Sequence, residues 1–493
     1  MSLRGCRQSA GPTGMSSSRL IHMSRCGSAT ASSWPDRVRW SPISHSERIR
    51  LDSWGVHRVS ETKTGPYAWF NEAKFGMFVH WGLYSLLGIG EQVLLRGRLK
   101  PSEYRRLAER FTAPNYDAHE WARMARDAGM RYVVLTSKHH DGYCLFDSPG
   151  WELCAPRTAP GRDLVAEYVE GCRAAGMPVG IYYSLQDWSF PVMFDGPDAD
   201  PGELQRLVRK IHDDVRALCS NYGKIDLMWF DGRWPLHDLW RPVEIDDIIR
   251  ELQPECMITG DRLHGAPAQF PDSPFARNER PGYIASSERR IVASTVPVPW
   301  EVCEINQHRW WGYVKHDHHY KTATELIYLL AEALGQGANL LLNFGPMGDG
   351  AFPQRAREQL EGLGRFTERN AEAIYGCTGA NGLFEYLTFG DMTMRDETLY
   401  LWVKYWQGES FHFAGLANEI RGVRVLGRHD IEVTIERGGD HIWLRGLPEL
   451  PPDPDITILA VDCDGEPRAT EWGRYRLHGG DYDMRVWREW VRS

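Results

Sequence analysis

The sequence predicts an α/β protein: a (β/α)8-like barrel over residues 61–376, followed by a C-terminal antiparallel β-sandwich over residues 377–493. Three observations predict it. From about residue 65, short apolar segments alternate with amphipathic helical ones, the pattern of βαβ units and a parallel sheet. No Gly-rich phosphate loop follows an early strand, which disfavours an open nucleotide-binding sheet; the turn at 345–350 (GPMGDG) lacks the Lys-Ser/Thr such a loop needs. After about residue 380 the pattern changes to short alternating or apolar runs separated by turns.

Taken in order, the chain begins with a segment that fits neither part. Residues 1–50 hold eight Arg, twelve Ser and no Lys, with Asp36 and Glu47 the only acids. Residues 1–60 are therefore expected to form a disordered basic extension. An Arg- and Ser-rich opening also suits a transit peptide, and the apolar core of a secretory signal is missing. Strands are expected at 75–82, 132–137, 179–184, 225–231, 256–260, 300–305 and 338–344. Helices are expected at 113–129, 162–175, 203–222, 245–253, 322–335 and 353–374. Beyond the barrel, strands are expected at 398–405, 419–426, 431–435, 441–445 and 456–461, with the Pro-rich stretch 448–454 as a loop.

Composition narrows the function classes. The chain has 493 residues, 42% hydrophobic and 25% charged, as in a globular protein with ample core. Its formal net charge of -9 argues against general nucleic-acid binding, which needs a cationic surface. No apolar run approaches the roughly 18 residues of a spanning helix, so no membrane partner is expected. The ten Cys are scattered with no C-x-x-C pair, which suggests neither a zinc knuckle nor a disulfide framework. No Asn-x-Ser/Thr acceptor occurs, which favours a cytoplasmic location. Oligomeric state is not readable.

In a barrel, chemistry gathers at the C-terminal ends of the strands. Those ends supply His80-Trp81, Lys138-His139-His140-Asp141, Tyr182-Tyr183, Trp229-x-Asp231 and Asp261-Arg262. Trp229 and Asp231, two apart on a strand, share a face. Imidazoles, a carboxylate and a guanidinium among flat rings suit a sugar, which offers hydroxyls to bond and a CH face to stack. Three His and an Asp would also suit zinc. However, no H-x-H or H-E-x-x-H spacing places two of these imidazoles on one metal, and adjacent His139 and His140 diverge in an extended segment. No metal or other cofactor is expected.

The same residues carry a resemblance. The stretches 70–86 (FNEAKFGMFVHWGLYSL), 128–148 (AGMRYVVLTSKHHDGYCLFDS), 225–232 (IDLMWFDG) and 337–350 (GANLLLNFGPMGDG) resemble the α-L-fucosidases of glycoside hydrolase family 29. The resemblance implies an exo-acting retaining hydrolase of fucosylated oligosaccharides or glycoconjugates. It would use two carboxyl groups about 5–5.5 Å apart. The family's nucleophile falls on Asp231. The acid/base falls on Glu288 in 282–288 (GYIASSE), with Glu279, Glu301 and Glu304 as rivals. Glu301 and Glu304 are on opposite faces of their strand by parity. The resemblance also implies His80, His139 and His140 as hydroxyl-binding groups, Tyr182 and Trp229 around the ring, and Arg262 beside it. Trp311 would meet the sugar's methyl group, and Glu91 would bind substrate. Gln92 stands where the family has Trp, a change that bears on substrate preference. His316, His318 and His319 form a separate cluster, expected to be a solvated loop. A fucose-binding homologue without activity and a metal-dependent barrel hydrolase are the alternatives. Linkage preference would lie in loops such as 189–202 and 232–244.

Overall fold

The computed structural model describes residues 67–470, apart from positions 199, 235, 268, 270–271, 292–297 and 385–386. The extension expected over 1–60 lies outside the described residues.

Eight parallel strands close into a barrel: β1 (Phe75–Val79), β2 (Val133–Lys138), β3 (Val179–Ser184), β4 (Leu227–Asp231), β5 (Met257–Thr259), β6 (Tyr283–Glu288), β7 (Trp300–Ile305) and β8 (Asn339–Phe344), with β8 pairing back to β1. β1, β2, β3, β7 and β8 are buried at every position, so both faces are covered; most of their residues are apolar. β6 is the strand that the sequence pattern does not announce. Ala285, Ser286 and Ser287 have weak strand preference, and parallel pairing to β7 holds them extended, while β5 pairs with Tyr283 and Ile284 before them.

Outside the barrel run α1 (Ala118–Asp127), α2 (Leu164–Ala174), α3 (Pro201–Asn221), α4 (Pro242–Leu252), α5 (Ala323–Gly335) and α6 (Gln354–Arg369). The helix expected from 113 starts at Ala118 because the Asp117 carboxylate caps it, accepting the Glu120 N–H. Asp163, Asp200 and Thr322 cap α2, α3 and α5 in the same way. The helical ring is incomplete. After β5 comes only a five-residue turn of helix, Gly260–His264, and among the described residues no helix joins β6 to β7.

Beyond α6, eight further strands form two antiparallel sheets: β9 (Thr378–Gly379), β10 (Gly390–Arg395), β11 (Thr398–Val403), β12 (Ser410–Ala414), β13 (Ile420–Val425), β14 (Thr434–Gly438), β15 (His441–Arg445) and β16 (Thr457–Cys463). One sheet runs β13-β16-β11-β10-β9 and the other β12-β15-β14, around a shared core including Met392, Leu401, Phe411, Leu444 and Val461. The strand expected at 431–435 lies three residues later, where a two-residue turn pairs it with β15. β9, β10 and β12 add to the strands expected there. α5 packs on β10 and β9, and Arg369 of α6 meets Asp453 at 2.8 Å. Among the described residues no helix is long and apolar enough to cross a membrane. The eight described Cys are unpaired and buried.

Candidate active site

The C-terminal strand ends open on one mouth of the barrel, so side chains distant in sequence meet there. His80 follows β1, His139 and His140 follow β2, Tyr182 lies in β3, and Trp229 and Asp231 in β4. Arg262 sits in the helical turn after β5, Glu288 ends β6, and Trp311 follows β7.

Asp231 is the centre of this group. Its Oδ2 accepts the Tyr182 hydroxyl at 2.8 Å and its Oδ1 accepts the Gly232 N–H at 2.7 Å. His140 Nε2 stands 3.5 Å from Oδ2, and Arg262 Nη1 stands 3.8 Å from Oδ1. Burial favours the protonated acid, but His140, Arg262, Tyr182 and the Gly232 N–H outweigh it and hold Asp231 below its ordinary value. Gly232 permits the turn that exposes the carboxylate. Its φ is +74°, and a Cβ there would lie 2.9 Å from the Gln186 side chain.

The three imidazoles are neutral. Burial lowers His80 to about 3 and pushes His139 and His140 down as well. Asn343 of β8 fixes the His80 tautomer. Its Nδ2 donates to the Trp311 carbonyl at 2.7 Å, so its Oδ1 faces His80 and accepts the Nδ1 proton, also at 2.7 Å. His80 Nε2 is then left as an acceptor. His140 Nδ1 pairs with Ser184 Oγ at 2.6 Å. Buried His139 Nδ1 has no hydrogen-bond partner among the described residues, and its ring stacks on Tyr182 at 5.7 Å. A neutral imidazole with an unused nitrogen can donate to or accept from a hydroxyl.

Two carboxylates serve the rings. Glu301 reaches into the barrel interior and accepts the Trp229 indole N–H and the Tyr132 hydroxyl, both at 2.7 Å. Burial raises it to about 7. Glu91, 1% exposed, accepts the N–H groups of Trp311 and Gly312 on one oxygen, each at 2.9 Å. Its described contacts therefore hold the Trp311 turn. The Trp311 ring lies 5.1 Å from His80 and 5.9 Å from Phe78. Gln92 precedes a short helix and accepts from Arg96 at 2.5 Å.

Geometry separates the four glutamates. Glu304 faces out of the barrel, 3.3 Å from Lys321. Glu279 is exposed and pairs with Arg277 at 3.4 Å. Glu301 is committed beneath Trp229. Glu288 is 48% exposed at the mouth, and its Oε2 lies 3.5 Å from Arg262 Nη1, the same nitrogen that approaches Asp231. That shared nitrogen puts Asp231 Oδ1 and Glu288 Oε2 no more than 7.3 Å apart, a bound that admits the ~5–5.5 Å pair of a retaining glycosidase.

A cavity of about 320 Å³ opens beside Asp231 and Arg262. The profile of the α-L-fucosidase family matches residues 53–372. The chain belongs to the α-L-fucosidase family of glycoside hydrolases. It is 30% identical over 331 residues to human (Homo sapiens) plasma α-L-fucosidase, covering 62% of this chain and 69% of that protein. Mouse (Mus musculus) tissue α-L-fucosidase is 29% identical over 432 residues, 80% of this chain and 90% of its own. Among solved structures, α-L-fucosidase isoenzyme 1 of Paenibacillus thiaminolyticus superposes with a TM-score of 0.72 at 31% identity, covering 81% of this chain and 99% of that one. An α-L-fucosidase of Bacteroides thetaiotaomicron, trapped as a covalent intermediate with 2-fluoro-fucosyl fluoride, superposes with a TM-score of 0.72 at 25% identity, covering 81% and 96%.

In this fucosidase the strand ends thus bring together every predicted site residue, Glu91 through the Trp311 turn. The exposed cluster of His316, His318 and His319 stands apart, with His319 3.5 Å from Asp317. Among the described residues no three His, Cys, Asp or Glu side chains are grouped to hold a metal ion. Sequence reasoning missed Asn343 and Ser184. The signal was there: each is a polar residue at or near the end of an apolar strand, LLLNF and GIYYS. Asp261, named with Arg262 at its strand end but given no role, is half-buried; its carboxylate accepts the Ser286 N–H and is raised to about 6 by burial.

Proposed function

We propose that the enzyme is a retaining exo-glycosidase that releases terminal α-L-fucose from fucosylated glycans or glycoconjugates through a covalent glycosyl-aspartate. The observation that carries the reading is Arg262 Nη1 between the Asp231 and Glu288 carboxylates. Asp231, kept ionised, attacks the anomeric carbon. The bond to the leaving oxygen breaks as Glu288 gives that oxygen its proton. Glu288, now the base, takes a proton from water, whose oxygen bonds the anomeric carbon as the ester to Asp231 breaks. Two inversions leave the configuration retained. The neutral imidazoles of His80, His139 and His140 suit the sugar's hydroxyls. The Trp311 ring suits its methyl group, because a polar partner there would go unpaired. The covalent intermediate trapped in the Bacteroides thetaiotaomicron relative agrees with this route.

The test is hydrolysis of an aryl α-L-fucoside. Asp231→Ala is expected to lower kcat at least about a thousand-fold. In the unaltered enzyme, 2-fluoro-fucosyl fluoride is expected to label the peptide that contains Asp231. Glu288→Ala is expected to lose most turnover on a poor leaving group and regain part of it with azide. Full turnover by Glu288→Ala would remove Glu288 as acid/base, and no product from the unaltered enzyme would remove the reading.

A further inference from the structure

We infer that Ser184 is a positioning residue for the nucleophile: its hydroxyl holds the neutral His140 ring in the tautomer whose Nε2–H faces the Asp231 carboxylate. The inference rests on the fucosidase reading of the same site. His140 Nε2 stands 3.5 Å from Asp231 Oδ2, and its Nδ1 stands 2.6 Å from Ser184 Oγ. A neutral imidazole carries one N–H, so the nitrogen that bears it decides whether Asp231 meets a donor or a lone pair. Burial and the Lys138 ammonium keep a second proton off the ring.

The neighbours of Ser184 settle where the proton lies. Ser184 is fully buried, and its hydroxyl has one proton to give and two lone pairs. The Gln186 N–H fills one lone pair at 3.1 Å. The proton has two acceptors within reach, His140 Nδ1 at 2.6 Å and the Gln186 carbonyl at 3.1 Å. That carbonyl already accepts Lys138 Nζ at 2.8 Å, and the same ammonium holds the Ser184 carbonyl at 2.8 Å. Were the proton given to the carbonyl, His140 Nδ1–H would donate to Ser184 and a bare Nε2 would face the carboxylate. Two facing acceptors with no proton between them are unfavourable away from water. With the proton given to His140, every group is paired. Lys138 donates to the Gln186 carbonyl, the Gln186 N–H to Ser184, and Ser184 to His140, whose Nε2–H points at Asp231. The chain runs from a buried cation to the nucleophile, each donor polarising the next. Ser184 also pairs in register with Asp231 across β3 and β4, so the barrel sheet fixes the spacing of hydroxyl and carboxylate.

The readout is the pH dependence of covalent labelling by 2-fluoro-fucosyl fluoride. Asp231 bonds the anomeric carbon as fluoride leaves with its electron pair, a departure that needs no proton. The labelling rate therefore falls on the acid side as the nucleophile is protonated. The charged and titratable groups facing the pair are Arg262 and Tyr182 beside Asp231, Glu288 across Arg262, and Lys138, His80 and His139 beside His140. A change at Ser184 replaces none of them. Ser184→Ala, which frees the ring to turn a lone pair to Asp231, is expected to move the acidic limb up by about one pH unit. Ser184→Thr keeps the hydroxyl and is expected to leave the limb in place, whatever its packing does to the height of the profile. Should Ser184→Ala fail to fold, Ser184→Cys, a weak S–H donor, is expected to move the limb in the same direction by less. An unmoved limb in the Ala variant, or in the Cys variant standing in for it, would overturn the role of Ser184 while leaving the fucosidase reading intact. So would a shift in Ser184→Thr as large as that in Ser184→Ala. An unaltered enzyme that is never labelled and releases no L-fucose from an aryl fucoside would overturn the fucosidase reading and this role with it.

Discussion

Asp231 and Glu301 occupy one barrel but opposite electrostatic situations. Asp231 meets Arg262, His140 and two hydrogen-bond donors, which hold its carboxyl below the ordinary range. Glu301 meets Trp229 and Tyr132, and burial lifts it to about 7. Environment therefore divides their roles: one is a charged group at the mouth, the other a bracket beneath a ring. The imidazoles make a second residue-scale argument. Burial takes His80 to about 3, against about 6.5 in an unfolded chain. As pH falls the unfolded chain takes up the proton first, so this part of the stability is whole above about pH 6.5 and is lost on the way down to about 3. Glu301 has the reverse sign: its contribution is whole below about pH 4.5 and lost as pH rises through about 7. Urea midpoints are expected to drop on acidification across the His80 window, and His80→Gln to drop less steeply. Coincident slopes would contradict the assignment.

The turn after β2 shows how an element positions its residues. Gly142 follows the Lys138–Asp141 run with φ +83°, and a Cβ there would lie 2.2 Å from the Asp187 carboxylate. Lys138 Nζ holds the Ser184 and Gln186 carbonyls, each at 2.8 Å, tying this turn to the loop after β3. Gly142→Ala is expected to cost about 1–3 kcal/mol in denaturant unfolding and to lower kcat, since His139 and His140 sit on the strained turn. A variant with unaltered stability would show that the loop relaxes freely. β6 teaches the converse. Its own residues read weakly as a strand, and its place is set by neighbours: Tyr283 donates to Asp246 of α4, which also meets His264 at 3.4 Å and Arg280 at 3.0 Å. Strand propensity is local, whereas this anchoring joins residues far apart in sequence. Glu288, at the end of β6, could therefore be matched by family likeness but not located from its own segment.

At the scale of the whole molecule, the β-sheets brace the barrel. α5 lies between the barrel strands and β10, and Thr324 at its start bonds Asp455 at 2.5 Å. Arg424 of β13 reaches Glu372 just past α6 at 2.8 Å. With α5 shared, neither part can unfold without exposing the other's core. Calorimetry is expected to show one transition in which the calorimetric and van't Hoff enthalpies agree; two resolved transitions would refute the coupling. The sequence by itself determined the fold class, since apolar periodicity and helix caps act within a few residues, and the long motifs around His80, His139 and Asp231 marked the family. It also separated Glu301 from Glu304, because strand parity is a local rule. Only the tertiary structure decided which glutamate stands beside Asp231 and which residues fix the imidazoles. Those depend on Arg262, Asn343 and Ser184 meeting side chains from other strands. Barrel closure sets such meetings, through registers and bends that no local pattern encodes.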